Sequence, residues 1–374
     1  MTARSRLRTI LVLGLVVALV GAGAGPALAA GAVTDQASAN QLDDCSFPVE
    51  TTDATGETVT IDAEPETVVT LGPSAAQTMW EIGAEEKVVG VSQYASYLEG
   101  AESRTNVSGA SQSFVDSERV VDLDPDLVLA PNIIPVETVQ KLRDSGLTVY
   151  SYERATSLAD VEEKTRLTGH LVGACEGAEK RATEMNESLE TVRDRVDGED
   201  RPRVLYYMGG GHTAGEGTFI DGIIEAAGGT NVAAEAGMEG YGQMNEEDVV
   251  EQNPEWIVTN TDIGAIPESA GYDATTAVQE EQILLVDANY VSQPAPRTVE
   301  IVEELAAAFH PASEDAAVEA TETTATETTA DSATTATTAA ADGTTRTTTA
   351  TTPGMGIPVA LLAISLVGLS LRRE

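Results

Sequence analysis

The chain has 374 residues, with 21 lysines and arginines against 61 aspartates and glutamates, a formal net charge of −40. With acid spread along its whole length and no basic patch to neutralise phosphates, nucleic-acid binding is excluded. The balance fits the solvated surface of a protein working in high salt, where screening acts within a few ångströms; an ordinary acidic extracellular protein is the alternative.

Arg4, Arg6 and Arg8 precede an apolar run over 10–20, and Ala27-Leu28-Ala29 offers small residues for cleavage. Residues 1–29 therefore read as a secretory signal peptide, with no Arg-Arg pair to suggest the twin-arginine route. Cys45 follows Leu42-Asp43-Asp44, acidic where a lipid-attachment cysteine needs small or apolar neighbours. Cys45 and Cys175 are the two cysteines. In an exported protein such a pair is a candidate disulfide, with two free buried thiols as the alternative.

After a mature amino-terminal segment (30–56), residues 57–156 read as an α/β lobe. The stretch 51–61 alternates and turns like a hairpin. Strands are expected over 66–71, 87–91, 127–130 and 147–150, with a helix over 75–82. Ligands of open α/β sheets sit beyond the carboxyl ends of strands. That rule selects Ser74, Gln93, Tyr94 and Asn132, each with ordinary turn chemistry as its alternative.

Residues 157–198 read as a helical connector. Val161, Leu167, Leu171, Val172, Ala178, Ala182, Met185, Leu189, Val192 and Val196 recur at steps of mostly three or four, one face of a helix. Ser157 with Asp160 resembles a capping box. Gly173 and Gly177 flank Cys175 and break the run in two; the second piece, about 176–196, would span roughly 30 Å.

A second α/β lobe is expected over 199–312. A strand over 203–208 runs into Gly209-Gly210-Gly211-His212-Thr213-Ala214-Gly215, which lets backbone approach a ligand closely. It lacks the ending of a phosphate loop and the dinucleotide spacing. A helix over 219–227, a strand over 283–287 and a helix from Arg297 to Phe309 follow. Arg297 could clamp a carboxylate or phosphate, or cap local carbonyls. Gly210, His212, Tyr241, Asn289, Tyr290 and Arg297 are this lobe's candidate ligand residues. Trp80 and Trp256 fall on core faces.

The two lobes share a repeated unit. Residues 118–130 (ERVVDLDPDLVLA) and 247–259 (EDVVEQNPEWIVT) align without a gap, 129 residues apart. Each reads as a helix end, a proline-pinned turn and a buried strand. Two similar α/β units joined by a long, rigid helical connector predict a two-lobed protein with a ligand cleft between the lobes. His170, His212 and His310 are too scattered for a zinc site, and no nucleophile elbow or paired-carboxylate motif stands out, which weighs against an enzyme.

Residues 313–352 become Thr/Ala-rich, a disordered and O-glycosylated stalk. Asn106 and Asn186 begin N-glycosylation sequons. In 353–374, Pro353-Gly354-Met355 is followed by an apolar run over 357–371 and Arg372-Arg373. That run reaches about 22 Å, short of a roughly 30 Å bilayer core. It suits a sorting signal that is cut and replaced by lipid, with a membrane-anchoring helix as the alternative.

Val68-Val69-Thr70-Leu71-Gly72-Pro73-Ser74, Ile82-Gly83-Ala84, Lys87-Val88-Val89-Gly90-Val91, Asp124-Pro125-Asp126-Leu127-Val128 and Pro296-Arg297 resemble, in that order, the helical-backbone substrate-binding proteins of ABC importers. Those take up vitamin B12, haem and ferric siderophores. The resemblance covers about 47–311. It implies a monomer, without cofactor or resident metal, that holds a small-molecule metal chelate between its lobes and delivers it to permease and ATPase subunits. By position in the repeated motif, Glu118 and Glu247 match the family's permease-docking glutamates. Tyr94, Tyr241 and Tyr290 would stack on a corrin or ligate iron. The tail resembles the Pro-Gly-Phe sorting signal of haloarchaeal surface proteins, processed by an archaeosortase, with Met355 where phenylalanine is usual. The expected location is outside the cell, anchored to the outer face of the membrane. A surface hydrolase or chelatase on the same frame, or a ligand sensor without transport, are the other readings.

Overall fold

Apolar runs between proline and glycine turns build two parallel sheets in a computed structural model that describes residues 45–109 and 115–311. The expected signal peptide, Thr-rich stalk and sorting tail lie outside the described residues.

A hairpin of β1 (Val49–Thr52) and β2 (Thr58–Ile61) comes first, with Val49 opposite Ile61. Then β3 (Val68–Thr70), β4 (Val88–Val91), β5 (Thr105–Asn106), β6 (Leu127–Ala130) and β7 (Val149–Ser151) form a parallel sheet in the order β5-β4-β3-β6-β7. Every residue of β3 and β6 is buried, as helices on both faces of a parallel sheet require. Val49, Val59 and Ile61 join this lobe's core, so its packing reaches into the expected amino-terminal segment.

In the second lobe, β8 (Arg203–Tyr206), β10 (Thr230–Asn231), β12 (Trp256–Asn260) and β13 (Ile283–Val286) are parallel in the order β10-β8-β12-β13. Between them, β9 (His212–Ala214) and β11 (Tyr241–Gln243) pair as an antiparallel ribbon.

Two expected strands are shorter or shifted, for local reasons. The amides of Glu66 and Thr67 donate to the Asp126 carboxylate, both at 2.9 Å, so β3 starts only at Val68. The Leu147 amide closes the preceding helix on Leu142 O at 3.3 Å, so β7 starts later than the apolar run. In the repeated unit the two turns are alike in detail. Asp124 (φ 45°) and Asn253 (φ 43°) are both left-handed, the conformation short polar side chains tolerate best, and each precedes its proline.

The connector is a helical hairpin rather than one long helix. Helix Leu158–Val172 opens on the Ser157/Asp160 capping box and ends at left-handed Gly173; helix Cys175–Val196 returns. Both cross the molecule. Leu158 and Val161 pack in the second lobe's core, Leu171 and Val172 in the first. Ala178 returns to the first core, and Met185, Leu189 and Val192 to the second. A Cβ at Gly177 would lie 2.0 Å from the Ile82 carbonyl oxygen, so glycine lets this helix close on the first lobe. A Cys45–Cys175 disulfide, Cα atoms 6.0 Å apart, ties the amino end to the same helix start.

Candidate functional site

The carboxyl ends of β3 and β4 face that of β13 across the seam between the lobes. Helix Pro73–Glu81, which β3 feeds, brings Gln77, and the loop after β4 brings Tyr97. Gln77 Nε2 donates to the Tyr97 hydroxyl at 2.8 Å and to Asn289 O at 3.4 Å. The Tyr97 hydroxyl donates to Gln293 Oε1 at 3.2 Å, and its ring meets that of Tyr290 edge-on at 6.4 Å. Burial pushes the Tyr97 phenol up to about 12, so it stays a donor at any working pH. Asn289, Tyr290 and Arg297 therefore converge on the first lobe. Arg297 is held by Glu81 at 2.6 Å and donates to the Tyr290 hydroxyl at 3.1 Å, its backbone amide reaching Gln77 Oε1 at 3.0 Å. Glu81 also takes Arg181 at 2.7 Å. This carboxylate thus joins the first lobe, the connector and the second lobe.

Ser74 is buried at the start of the same helix, and its hydroxyl is 3.5 Å from Lys164 Nζ. Lys164 is 8 % exposed, donates to Pro294 O at 2.8 Å, and lies 5.3 Å over the Tyr152 ring. Burial pulls its pKa down to about 8. Alongside, β1, residues 150–156 and helix Leu158–Val172 line a half-open pocket of about 710 Å³, with Tyr150, Tyr152, Arg154 and Lys164 among its residues.

On the second lobe, Gly209, Gly210 and Gly211 all have positive φ (88°, 58° and 79°), which lets β8 fold straight into the ribbon. The Gly210 amide donates to the Tyr207 hydroxyl at 3.0 Å. Gln243 Nε2 lies 3.0 Å from His212 Nε2 and donates to Gly210 O at 3.4 Å. Asn260 Nδ2 donates to the buried Tyr206 hydroxyl at 2.9 Å. Tyr241 stands 57 % exposed on the ribbon, close enough to feel the charge of Arg154. On the first lobe Tyr94, Gln93 and Asn132 are exposed. The candidates thus divide into a seam set (Ser74, Asn289, Tyr290, Arg297), an open set on the first lobe (Gln93, Tyr94, Asn132) and a ribbon set (Gly210, His212, Tyr241).

Sequence reasoning passed over Gln77, Tyr97 and Lys164. Lys164 had a signal: one of four lysines in the chain, it stands on the apolar stripe between Val161 and Leu167. Glu118 and Glu247 are exposed second residues of helices Ser117–Asp122 and Glu246–Gln252. Asn106 is exposed at the end of β5, and Asn186 is half-buried on helix Cys175–Val196.

Residues 68–290 match the model of the periplasmic binding protein family. The chain belongs to this family. This periplasmic binding protein is 43 % identical over 321 residues to a cobalamin-binding protein of Halobacterium salinarum, covering 82 % of the chain and 85 % of the relative. It is 26 % identical to the vitamin B12-binding protein of Vibrio cholerae, over 64 % of the chain and 87 % of that protein. Among solved structures it resembles the periplasmic haem-binding protein RhuT of Roseiflexus sp. RS-1 in apo form, with TM-score 0.60 and 27 % identity, covering 66 % of the chain and 98 % of that structure. The vitamin B12-binding protein BtuF of Vibrio cholerae matches with TM-score 0.58 and 25 % identity, covering 66 % of the chain and 96 % of that structure. Among the described residues, no helix is long and apolar enough to cross a membrane.

Proposed function

We propose that this periplasmic binding protein captures a metal chelate of the cobalamin class between its lobes, outside the cell, and hands it to an ABC permease with its ATPase. The relative named as cobalamin-binding, 43 % identical across 82 % of the chain, carries this reading. The seam geometry supports it: tyrosines and amides from both lobes meet where the carboxyl ends of the sheets converge, the usual ligand position in open α/β folds. Tyr94 and Tyr241 are the exposed rings available to stack on a macrocycle. Ser74, Gln93, Asn132, Gly210, His212 and Asn289 supply polar contacts, and Arg297 acts through Tyr290, which it holds. Glu118 and Glu247 dock the protein on the permease. In α/β units the helix before a strand runs antiparallel to it, which sets the first helical turn, with each glutamate, at the cleft end of its lobe. Tethering through the carboxyl tail, after archaeosortase cleavage or as a helix, completes the scheme.

The test is titration of the purified protein in molar salt with cobalamin, haem and a ferric siderophore, followed by absorbance and heat. Saturable micromolar or tighter binding of cobalamin supports the reading; tighter binding of another chelate reassigns the cargo; binding of none sinks it. Replacing Glu118 and Glu247 together by alanine is expected to abolish uptake while leaving chelate affinity unchanged.

A further inference from the structure

Each docking helix carries a large apolar side chain in solvent one turn after its glutamate. Val121 is 36 % exposed and Val250 is 43 % exposed. A spacing of three residues puts each valine on the same helix face as its acid. The core does not account for them: in each Val-Val pair the first residue is the buried one, Val120 at 0 % and Val249 at 1 % exposure. Duplication of the unit has not kept every outer position. Arg119 stands where the second copy has Asp248, whereas Asp122 and Glu251 are both acidic. Among the described residues neither Glu118 nor Glu247 takes part in an ion pair. Arg119, next to Glu118, is taken by Asp116 at 3.1 Å.

We propose that Val121 and Val250 are the apolar half of the docking surface, so that each lobe presents a carboxylate and a valine together to one subunit of a permease dimer. The proposal rests on the importer reading above. The occupant follows from the pattern: two matching patches at equivalent places in two repeated units fit a partner with two equivalent pockets, each basic and apolar. The apolar half has a physical purpose in a protein of net charge −40. At about 1 M salt the screening length is roughly 3 Å, so exposed ion pairs attract weakly, whereas apolar burial persists.

The experiment uses the permease–ATPase complex purified from the cells that make this protein, reconstituted in nanodiscs. Binding of wild type, V121S/V250S, E118Q/E247Q and I283S/L285S is measured at about 0.15 M and about 1 M salt. Circular dichroism and chelate binding check each variant's fold. The valine pair is expected to raise Kd about tenfold at both salts, the yield of burying two partly exposed valines. The glutamate pair is expected to weaken binding more at the lower salt. Ile283 and Leu285, 40 % and 48 % exposed on edge strand β13, are the apolar control and leave Kd unchanged. Wild-type Kd for V121S/V250S at both salts overturns the inference, as does equal loss in the β13 control, which would signal unspecific adhesion. If wild type fails to bind the complex, the importer reading itself falls; if only the glutamate pair matters, that reading stands without the valines.

Discussion

Replacing Glu81 by glutamine removes one negative charge from the point where three parts of the molecule meet. Its oxygens take Arg181 at 2.7 Å and Arg297 at 2.6 Å, and the three side chains are 15 %, 12 % and 25 % exposed. A hydrogen bond to a charged partner contributes about 1.5–3 kcal/mol, and breaking a buried pair leaves the remaining charge without its counter-ion. Glutamine keeps one acceptor oxygen, Arg181 keeps Pro296 O at 3.0 Å, and Arg297 keeps Tyr290. The expected loss is therefore about 2–4 kcal/mol, less than two full charged bonds. For a unit of this size that lowers Tm by roughly 5–12 °C. The pair is partly buried, so the loss persists in molar salt. The assay is thermal and denaturant unfolding at fixed salt, beside E184Q. Glu184 meets Lys180 at 3.8 Å with 49 % and 77 % exposure, a surface pair expected to contribute less than about 0.5 kcal/mol. Equal, small losses in both variants would refute the view that Glu81 joins the lobes to the connector.

Thiol reduction of Cys45–Cys175, 130 residues apart in sequence, is expected to cost about 2–4 kcal/mol, read as a lower denaturant midpoint in reducing buffer. Lys164 is displaced from 10.5 to about 8 by burial. Between those values the unfolded chain holds a proton that the native one has lost, so wild-type stability should gain a rising component with pH there, which K164M lacks. A wild-type and K164M pair with parallel stability–pH curves would dismiss that account. Burial alone would raise the Asp53 carboxyl, but Thr55, the Ser151 amide and Arg143 donate to it and hold it below 3.8. Its contribution is present above 3.8 and lost as pH falls through the lower folded value; D53N should be less stable at neutral pH and show a flatter acid limb. Tyr241→Ala is expected to weaken cobalamin binding about tenfold while Tm stays near wild type, as loss of one exposed ring contact would do.

The architecture was legible where one local rule acted alone. Alternating and apolar runs located the hairpin, β6 and β12. The Ser157/Asp160 pair and Gly173 located the two ends of the connector's first helix, because capping and left-handed closure are decided within a few residues. The duplicated 118–130 and 247–259 segments implied two like lobes, and their left-handed Asp124 and Asn253 follow from the short polar residue before proline. The strand limit at Glu66 was not legible, because Asp126, 59 residues beyond Thr67, takes amides that local pattern assigns to the sheet; the limit at Leu147 was missed because its amide closes the preceding helix on Leu142 O.

The sequence by itself determined the repeated units, the apolar face of the connector and the acidic surface, since each depends on residue type and short spacing. Only the tertiary structure decided that the connector doubles back, so that each of its helices enters both cores. It also decided that Arg297 and Tyr290 meet Glu81 and Tyr97 across roughly two hundred residues of chain, with Gln77 and Lys164 buried beside them. Those partners come from different lobes, and nothing in local spacing encodes which carboxylate a distant guanidinium reaches. That choice follows from how the two sheets and the helical hairpin pack.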